Sequence, residues 1–405
     1  MATAGHTDGE HATAETVAAR LREADFVRLV GAATGDGVAA TALLARALSA
    51  VGVPTQASVA SIPTTAERET EADCTVALGR PAGAADLTVG TGTASATAEA
   101  LDAVRDLGDG ATLDADAVVL GFAGTIAAGE TPGEKLHAAA RECGLDRRPG
   151  LGLPTDDVVD GLAHTTLVHA PVSGAPESVR NLLADLDLPD TGAQDGDSLA
   201  QSALDEDDRR RLASAVALAV AGDEDAAPGR TGRVEALLRP TDGGPCETLA
   251  GYADVLDALA RERPGAALAL ARGADVDALS VWRDHARRAH EAVRTADLAR
   301  YDGLTVARCA SDAPVGTVAR LLAETRSPEP VTLVVGDGVA AAVATAAADT
   351  HVGAALEAAA AAVGGEGGGT RTRGRATVDG DGNHEGDSTD EADTDAFVET
   401  VRAEL

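Results

Sequence analysis

The fold is decided by the stretch VRLVGAATGDGVAATALLARAL, which occupies residues 27–48. It begins with a short apolar run, continues through a glycine-containing turn and ends in alanine and leucine at helical spacing. This order predicts a buried strand that leads through the turn into a helix, whose first N–H groups can face an anion. The turn is not a P-loop for ATP, because Gly37 is followed by Val38 and the stretch contains no lysine.

Strands and helices alternate on both sides of this stretch. The short apolar runs predict strands over residues 26–30, 55–62, 74–78, 85–89 and 117–122. The longer periodic segments predict helices over residues 13–24, 38–51 and 93–107. Short strands that alternate with helices of this length indicate a parallel sheet with crossover connections. We therefore predict an α/β domain over residues 15–200, preceded by a tail over residues 1–14.

The remainder of the chain is predicted to form a helical part and a second, smaller α/β part. LAHTTLVHAPVSG (162–174) is strand-like and then turn-like, and residues 190–197 have the composition of a linker. Residues 201–298 are predicted as a mainly helical connector, with helices over 205–221, 252–265 and 276–296. Residues 299–405 are predicted to contain strands in GLTVARC (303–309) and PVTLVVGDG (330–338), and helices in PVGTVARLLAET (314–325), GVAAAVATAAA (338–348) and DAFVETVRAEL (395–405).

The chain is strongly acidic. Asp and Glu outnumber Lys and Arg by 66 to 33, which gives a formal net charge of −33, and Lys135 is the only lysine. Self-repulsion at this charge destabilises a compact fold in dilute buffer, whereas molar salt shortens the Debye length to roughly 3 Å and screens it. Because 44% of the residues are hydrophobic and periodic, we interpret the chain as a folded protein of a salt-in halophile rather than a disordered acidic one.

Other features of the composition bear on location and partners. No run of 18 apolar residues and no signal peptide is recognised, and the four cysteines form no CxxC pair. We therefore expect a cytoplasmic protein without a membrane partner. The acidity does not exclude nucleic acid, because counterion release contributes little to binding in molar salt. Recognition of a partner must then depend on shape, hydrogen bonds and stacking.

The turn around Asp36 carries a first family resemblance. Asp36 and Gly37, followed by an alanine- and leucine-rich helix, resemble the end of the His-x-Asp-x-Asp-Gly turn of the DHH phosphoesterases. In that family the turn holds divalent metal ions, typically Mn²⁺, which generate a hydroxide and stabilise the transition state of phosphoryl transfer. Here the histidine position is Ala32 and the first aspartate position is Thr34, so the resemblance leaves Asp36 as a residual metal ligand.

A glycine-rich segment near the other end of the sequence carries a second resemblance. VGGEGGG (363–369) is similar to the Gly-Gly-x-Gly-Gly-Gly-His loop of the DHH-associated domain, which brings backbone and a histidine against a substrate phosphate. Thr370 stands at the histidine position, and arginines, which can grip phosphate, follow it. The resemblance implies a phosphate- or nucleic-acid-binding site that consists of Gly367, Gly368, Gly369, Arg371, Arg373 and Arg375.

Together these segments make residues 15–405 similar to the RecJ-like branch of the DHH superfamily. The branch includes archaeal GINS-associated nucleases and a non-catalytic relative in the eukaryotic replicative helicase. The resemblance implies a parallel-sheet DHH-like domain, a helical connecting segment and a smaller C-terminal α/β DHH-associated domain. The chain departs from the pattern because no Asp-His-His triplet follows a middle strand, and the position of a further aspartate falls near Thr125.

Three functions are compatible with this resemblance. The first is a catalytically impaired RecJ-like protein of DNA replication or repair that binds single-stranded DNA or RNA, or replisome partners such as GINS. The second is an active Mn²⁺-dependent single-strand exonuclease or phosphoesterase, which requires metal ligands beyond those recognised in the sequence. The third is a scaffold subunit that pairs with an active RecJ paralogue. Without activity, no catalytic residue and no cofactor are expected.

Several features also have purely structural interpretations. Asp36 could serve only as a helix cap, where aspartate is favoured without a metal, and Gly367–Gly369 could form only a tight loop. Residues 379–383 begin like a calcium loop, but His384 stands where glycine is required, so we prefer an acidic insertion. Four histidines are interpreted as surface or packed residues rather than ligands: His164 and His169 on a predicted strand, and His285 and His290 on a predicted helix.

Overall fold

A computed structural model of the protein describes residues 13–61, 72–80, 85–92, 94–108, 113–186, 188, 198–221, 231–345, 348, 350–378 and 389–405. Within these ranges the backbone forms two β-sheets and the helices that cover them. Most of the predicted tail, the predicted linker at 190–197 and the calcium-like residues 379–383 lie outside the described residues. In the described ranges, no helix combines the length and the apolar character needed to cross a bilayer.

The first sheet consists of four short strands: β1 (Val27–Ala32), β2 (Thr55–Ala60), β3 (Cys74–Leu78) and β4 (Leu87–Val89). Their order across the sheet is β2-β1-β3-β4, and all neighbours are parallel. Val27 of β1 lies opposite Thr55 on one side and Cys74 on the other. The predicted parallel sheet is confirmed. The carboxyl ends of its strands meet along one edge, which is where open α/β sheets bind ligands.

Three helices connect and cover this sheet: α1 (Ala14–Glu23), α2 (Gly35–Ala50) and α3 (Ala96–Leu107). Each begins after a side chain that accepts an N–H bond from its first turn, namely Thr13, Thr34 and Ser95. Glycine is required at position 37, because a Cβ atom there would lie 2.4 Å from the carbonyl oxygen of Ala32. The predicted strand, turn and helix over residues 27–48 are therefore formed, with α2 starting directly against the end of β1.

Residues 115–128 form a helix, α4 (Ala115–Ala128), so the strand predicted over residues 117–122 is wrong. Asp114 caps its first turn, and Gly129 ends it in the left-handed conformation with a φ of 87°. Most residues between them are buried, because α4 packs against α2 and against residues 249–262. An apolar run that is buried all round has no periodicity that distinguishes a helix from a strand.

A layer of further helices extends this core. It consists of α5 (Glu134–Glu142), α6 (Val158–His164), α7 (Pro176–Ala184), α8 (Glu206–Ala221), α9 (Thr231–Leu238), α10 (Leu249–Glu262), α11 (Pro264–Ala271) and α12 (Ala278–Thr295), with a 3₁₀ turn at Gln201–Ala203. The helices predicted within the connector correspond to α8, α10 and α12. One apolar cluster runs from Val38 of α2 through α4 to Trp282 of α12, so these helices share a core with α2 and α4.

Residues 165–174 are irregular, so the strand predicted in LAHTTLVHAPVSG is wrong. Thr166 donates its N–H to the buried carboxylate of Asp254 at 3.0 Å and its hydroxyl at 2.5 Å. The same carboxylate accepts the indole N–H of Trp282 at 2.9 Å. These side-chain bonds satisfy polar groups of a buried segment that would otherwise need a strand partner.

The second sheet is mixed and has six strands: β5 (Asp297–Tyr301), β6 (Leu304–Arg308), β7 (Val331–Val335), β8 (Val339–Ala344), β9 (Gly367–Gly369) and β10 (Arg373–Thr377). Their order is β5-β6-β7-β8-β10-β9, and β6 with β7 is the parallel pair among the described strands. Helices α13 (Val315–Thr325), α14 (Val352–Ala362) and α15 (Thr389–Glu404) complete this part. It is the predicted smaller C-terminal α/β unit.

Strand β8 replaces the helix that was predicted over residues 338–348. Alanine has the highest intrinsic helix propensity, yet β8 pairs with β7 on one side and β10 on the other. Ala340, Ala341 and Ala342 are buried in this central position. Gly338, with a φ of 65°, closes the turn from β7. Pairing with two neighbours therefore outweighs the local preference of the alanine run.

Candidate anion-binding cleft

A cavity of about 350 Å³ lies where the carboxyl edge of the first sheet faces β8, β9 and β10. One wall is formed by the turns after β1, β3 and β4, and it includes Thr34 and Asp36. The opposite wall includes Gly368, Gly369 and Arg373. The two segments that carry the family resemblance are far apart in the sequence, and the fold brings them to opposite sides of one cleft.

The described lining of the cleft is basic, whereas the chain as a whole is acidic. Acidic residues outnumber basic residues by 66 to 33 in the whole sequence. Among the described residues that line the cleft, five arginines stand against two acids: Arg80, Arg261, Arg320, Arg373 and Arg375 against Asp36 and Glu130. Positive groups that converge in one concave site attract anions. The cleft therefore has the chemistry of an anion-binding site.

The carboxylate of Asp36 joins the first turns of α2 and α3. Its two oxygens accept the N–H of Thr97 at 2.8 Å and the N–H of Ala96 at 3.1 Å. The hydroxyl of Thr97 donates to the carbonyl oxygen of Asp36 at 3.1 Å. Burial raises the pKa of Asp36, and the hydrogen bonds from Thr97 oppose that shift. Asp36 thus caps α3, whereas Thr34 caps the helix to which Asp36 belongs.

The described residues do not fit a divalent metal ion. The two positions that hold further ligands in the resembling turn are Ala32 and Thr34, and both line the cleft. Within the described ranges, no group of three His, Cys, Asp or Glu side chains is placed to hold a metal ion. A two-metal site needs several carboxylates or imidazoles around its cations. A metal role of Asp36 stays a prediction, and both its oxygens already accept hydrogen bonds.

Asp257 of α10 orders a second part of the wall. One carboxylate oxygen accepts the N–H of Gly35 at 2.8 Å, which caps α2. The other accepts the Nε–H of Arg261 at 2.9 Å, which fixes this guanidinium at the cleft beside Gly316. Burial alone would raise the pKa of Asp257, but the positive charge of Arg261 and these hydrogen bonds hold it well below its usual range.

Arginine side chains bind the carboxyl end of α4. The guanidinium of Arg373 on β10 donates to the carbonyl oxygen of Ala128, and Arg233 donates to that of Ala127 at 2.6 Å. The carboxyl end of a helix carries a partial negative charge that favours such cations. Burial lowers the pKa of Arg373, and the negative charge of Asp36 opposes this shift. Arg373 thereby connects the two walls of the cleft.

Arg375 has no ion-pair partner among the described residues. It lies on β10 in the cleft, and in the described part of the chain its buried Nε has no hydrogen-bond partner. Burial lowers the pKa of Arg375, and the charge of Arg261 lowers it further. Arg320 donates to the carbonyl oxygen of Thr166 at 2.7 Å and forms an ion pair with Glu324 at 3.5 Å, but its buried Nε has no hydrogen-bond partner among the described residues. Buried cationic donors without acceptors are costly, so these atoms indicate an anionic ligand.

The glycine-rich segment forms an edge strand, β9, rather than a loop. Gly369 pairs with Gly374, and Gly368 pairs with Arg375 of β10. Helix α14 packs closely on this hairpin. A Cβ atom at Gly367 would lie 2.6 Å from the carbonyl oxygen of Leu356, so this glycine serves packing. The close approach of α14 thus accounts for Gly367, while Gly368 and Gly369 line the cleft.

The structure brings part of the predicted phosphate site together. Gly368, Gly369, Arg373 and Arg375 line the cleft. Gly367 lies beneath α14, and Arg371 is exposed in the turn between β9 and β10, outside the cleft lining. The sequence prediction missed three cleft arginines: Arg80, Arg261 and Arg320. The spacing of Asp257 and Arg261 predicts an ion pair on a helix. The sequence around the pair does not show whether it faces the cleft.

The predicted histidines lie elsewhere. His164 is the last residue of α6, so its assignment to a strand is wrong. His285 and His290 are fully buried on α12, and Nδ1 of His290 lies 3.0 Å from Nδ1 of His169. The carbonyl oxygen of Thr165 accepts a hydrogen bond from Nε2 of His290 at 3.0 Å. These histidines are packed between helices and do not line the cleft.

Solved structures are similar to this chain in overall fold. Cdc45 from Entamoeba histolytica matches over 95% of this chain and 97% of its own, with a TM-score of 0.58 at 9% identity. RecJ from Thermus thermophilus, solved with Mn²⁺, matches over 96% of this chain with a TM-score of 0.46 at 17% identity. The chain spans 55% of the length of that RecJ chain. The protein thus shares its fold with Cdc45.

Sequence comparison identifies the family within that fold. The family described as "Uncharacterized protein rrnAC1427, C-terminal domain" matches residues 296–403, which include all six strands of the second sheet. Protein rrnAC1427 of Haloarcula marismortui is 49% identical over 332 residues, which cover 81% of this chain and 83% of the relative. The chain belongs to the family of rrnAC1427.

Proposed function

We propose that this protein is a catalytically impaired RecJ-like protein of DNA replication or repair, and that its cleft binds the phosphate groups of single-stranded DNA or RNA. The main observation behind this proposal is the basic cleft: five arginines line it in a chain whose net charge is −33. The Nε of Arg375, which has no partner in the described part of the chain, supports an anionic ligand. Guanidinium suits phosphate because it can donate two parallel hydrogen bonds.

The cleft residues have different roles in this proposal. Arg373 and Arg375 donate to phosphate oxygens. Gly368 and Gly369 let the ligand approach the backbone closely, because no side chain intervenes. Gly367 holds β9, the strand that contains all three glycines, in place by packing under α14. Arg371, exposed in the neighbouring turn, can donate hydrogen bonds to a phosphate at the mouth of the cleft.

The chemistry of the turn around Asp36 supports the loss of catalysis. Hydroxide generation by a metal needs a ligand set, and Ala32 and Thr34 cannot complete one with Asp36. The carboxylate of Asp36 is also engaged by the first turn of α3. We therefore propose that binding needs no cofactor, and that Mn²⁺ matters only if the alternative, an active exonuclease or phosphoesterase, is correct.

A turnover assay separates these two functions. The protein is incubated with 5′-labelled single-stranded DNA and RNA in about 2–3 M KCl, with and without Mn²⁺, to match the screening of molar salt. The proposal predicts that the oligonucleotide is retained and stays full length. Mn²⁺-dependent shortening that Asp36→Ala abolishes would instead establish an active metal site. Absence of both retention and turnover would contradict nucleic-acid binding.

Protein partners belong to the same proposal. In a salt-rich cytoplasm, a non-catalytic RecJ-like protein can act through the replisome, through GINS or through an active RecJ paralogue. Co-purification at molar salt tests this directly. A nuclease that co-purifies with a chain that retains no oligonucleotide would favour the scaffold function over nucleic-acid binding.

A further inference from the structure

The location of the aromatic side chains limits what the cleft can recognise. The chain has three Phe, two Tyr and one Trp, and all six lie in the described residues. Four are buried in the cores: Phe122, Tyr252, Trp282 and Phe397. Phe26 directly precedes β1, at the end of the sheet opposite to the cleft, and Tyr301 packs under Arg402 on edge strand β5. None of the six lines the cleft.

Other side chains of the cleft offer little to a nucleobase. Apart from its charged residues, the described lining consists mostly of alanine and glycine, with a few serines and threonines and no histidine. Proteins that bind single strands usually stack bases on aromatic rings, and each stacked base contributes between about fivefold and about a hundredfold in affinity. The described lining of the cleft therefore offers no aromatic or histidine ring on which a base can stack.

The guanidinium groups are directed by polar contacts. Arg261 is fixed by Asp257, Arg320 by the carbonyl oxygen of Thr166, and Arg373 by that of Ala128. The buried Nε atoms of Arg375 and of Arg320 have no hydrogen-bond acceptor among the described residues. Phosphate oxygens are acceptors on every side and match these donors without regard to sequence.

We infer that the cleft recognises the sugar–phosphate backbone alone and does not contact the bases. The inference rests on the proposed function and names the part of the nucleic acid that is bound. A backbone ligand also suits molar salt, because such salt removes most long-range attraction but screens buried charges much less. Charge-assisted hydrogen bonds from arginines inside the cleft then supply the affinity.

A ligand without bases tests the inference. A labelled dT oligonucleotide is bound to the full-length protein in about 2–3 M KCl and displaced either by unlabelled dT or by an abasic tetrahydrofuran phosphodiester of the same length and ends. We expect the two dissociation constants to agree within about twofold, since no stacking is lost. Arg375→Gln should weaken both ligands by the same factor.

The outcomes distinguish this inference from the proposed function. If dT binds and the abasic chain competes at least tenfold more weakly, a base contact exists and the inference is overturned, while nucleic-acid binding stands. A larger effect of Arg375→Gln on dT than on the abasic chain would overturn it in the same way. If neither ligand binds, the proposed function fails, and the inference fails with it.

Discussion

Arginine has two environments in this protein, the surface and the cleft. Surface arginines pair with acids one helical turn away: Arg105 with Asp102, Arg210 with Glu206 and Arg287 with Asp284. In the cleft, Arg261 and Arg320 also have acid partners, whereas Arg373 donates to a backbone carbonyl oxygen. Arg375 has neither a carbonyl nor an acid as partner in the described part of the chain. Among the described residues, Arg373 and Arg375 of the cleft therefore lack the ion pairs that neutralise arginines on the surface.

This difference shows that the placement of acids makes the cleft basic. With 66 acids and 33 bases, the chain has enough carboxylates to pair every arginine. Surface ion pairs contribute only about 0–1 kcal/mol each, so pairing there mainly provides hydration and solubility. The lack of an acid partner for Arg375 among the described residues costs stability, because its buried Nε has no acceptor there. Such a cost is typical of a functional site.

Substitution of Asp257 is expected to give the largest difference in stability between a cleft and a surface position, because Asp257 pairs with the cleft arginine Arg261. We predict that Asp257→Ala lowers the free energy of unfolding by about 3–5 kcal/mol, since Arg261 and the N–H of Gly35 both lose a buried acceptor. Guanidinium denaturation at molar salt measures it. The control is Asp102→Ala, which breaks an exposed pair with Arg105 and should cost about 1 kcal/mol or less. Equal losses would contradict the distinction between the two environments.

Buried His290, which lies against half-buried His169, predicts a pH dependence of stability. Burial, and then the charge of His169, lower the pKa of His290 well below its ordinary 6.5. As the pH falls through 6.5, the unfolded chain therefore binds a proton that the folded chain does not. Stability is fully present above that pH and is lost below it, by up to about 1.4 kcal/mol per pH unit. Denaturation between pH 5 and about 7.5 checks this sign, and His290→Asn should flatten the slope. An unchanged slope in the variant would assign the effect to other groups.

Substitution of Arg375 is expected to change stability in the direction opposite to substitution of Asp257. Without a ligand, Arg375→Met should raise the free energy of unfolding by about 1 kcal/mol, because it removes a buried cation that lacks a partner. Thermal unfolding of the ligand-free protein measures the change. The same substitution at the surface, Arg141→Met, breaks an exposed pair with Glu134 and should change stability by less than about 0.5 kcal/mol. A loss of stability in Arg375→Met would show that the arginine supports the fold rather than a ligand.

Much of the first sheet could be predicted from the sequence. The strand over 74–78 is reproduced at both ends, and the helix after Gly37 follows from its turn and its alanine and leucine pattern. These elements are short and bounded by turns, and the secondary structure that their residues prefer is the one that the fold requires. The same reasoning failed for α4 and β8, whose runs are buried on all sides. Neighbours in the fold, rather than periodicity, determine the structure of such segments.

The candidate site could be predicted only where it lies in motifs. Asp36, Gly368 and Gly369 belong to local patterns, and the fold brings them to the cleft. Arg261 and Arg320 lie on helices whose cleft-facing side depends on tertiary packing, so the sequence did not single them out. The same limit applies to Asp36, because its helix-capping contacts come from α3, about 60 residues away in the chain.

The most direct test of the account is the affinity of single-stranded DNA for the protein in about 2–3 M KCl with EDTA present. Fluorescence anisotropy of a labelled oligonucleotide would compare the unaltered protein with Arg375→Gln and with the surface control Arg141→Gln. We predict metal-free binding that Arg375→Gln weakens by about tenfold or more and that Arg141→Gln leaves unchanged, since one charge-assisted hydrogen bond contributes about 1.5–3 kcal/mol. Binding that requires a divalent metal, or that both variants weaken equally, would contradict the assignment of the cleft as the anion site.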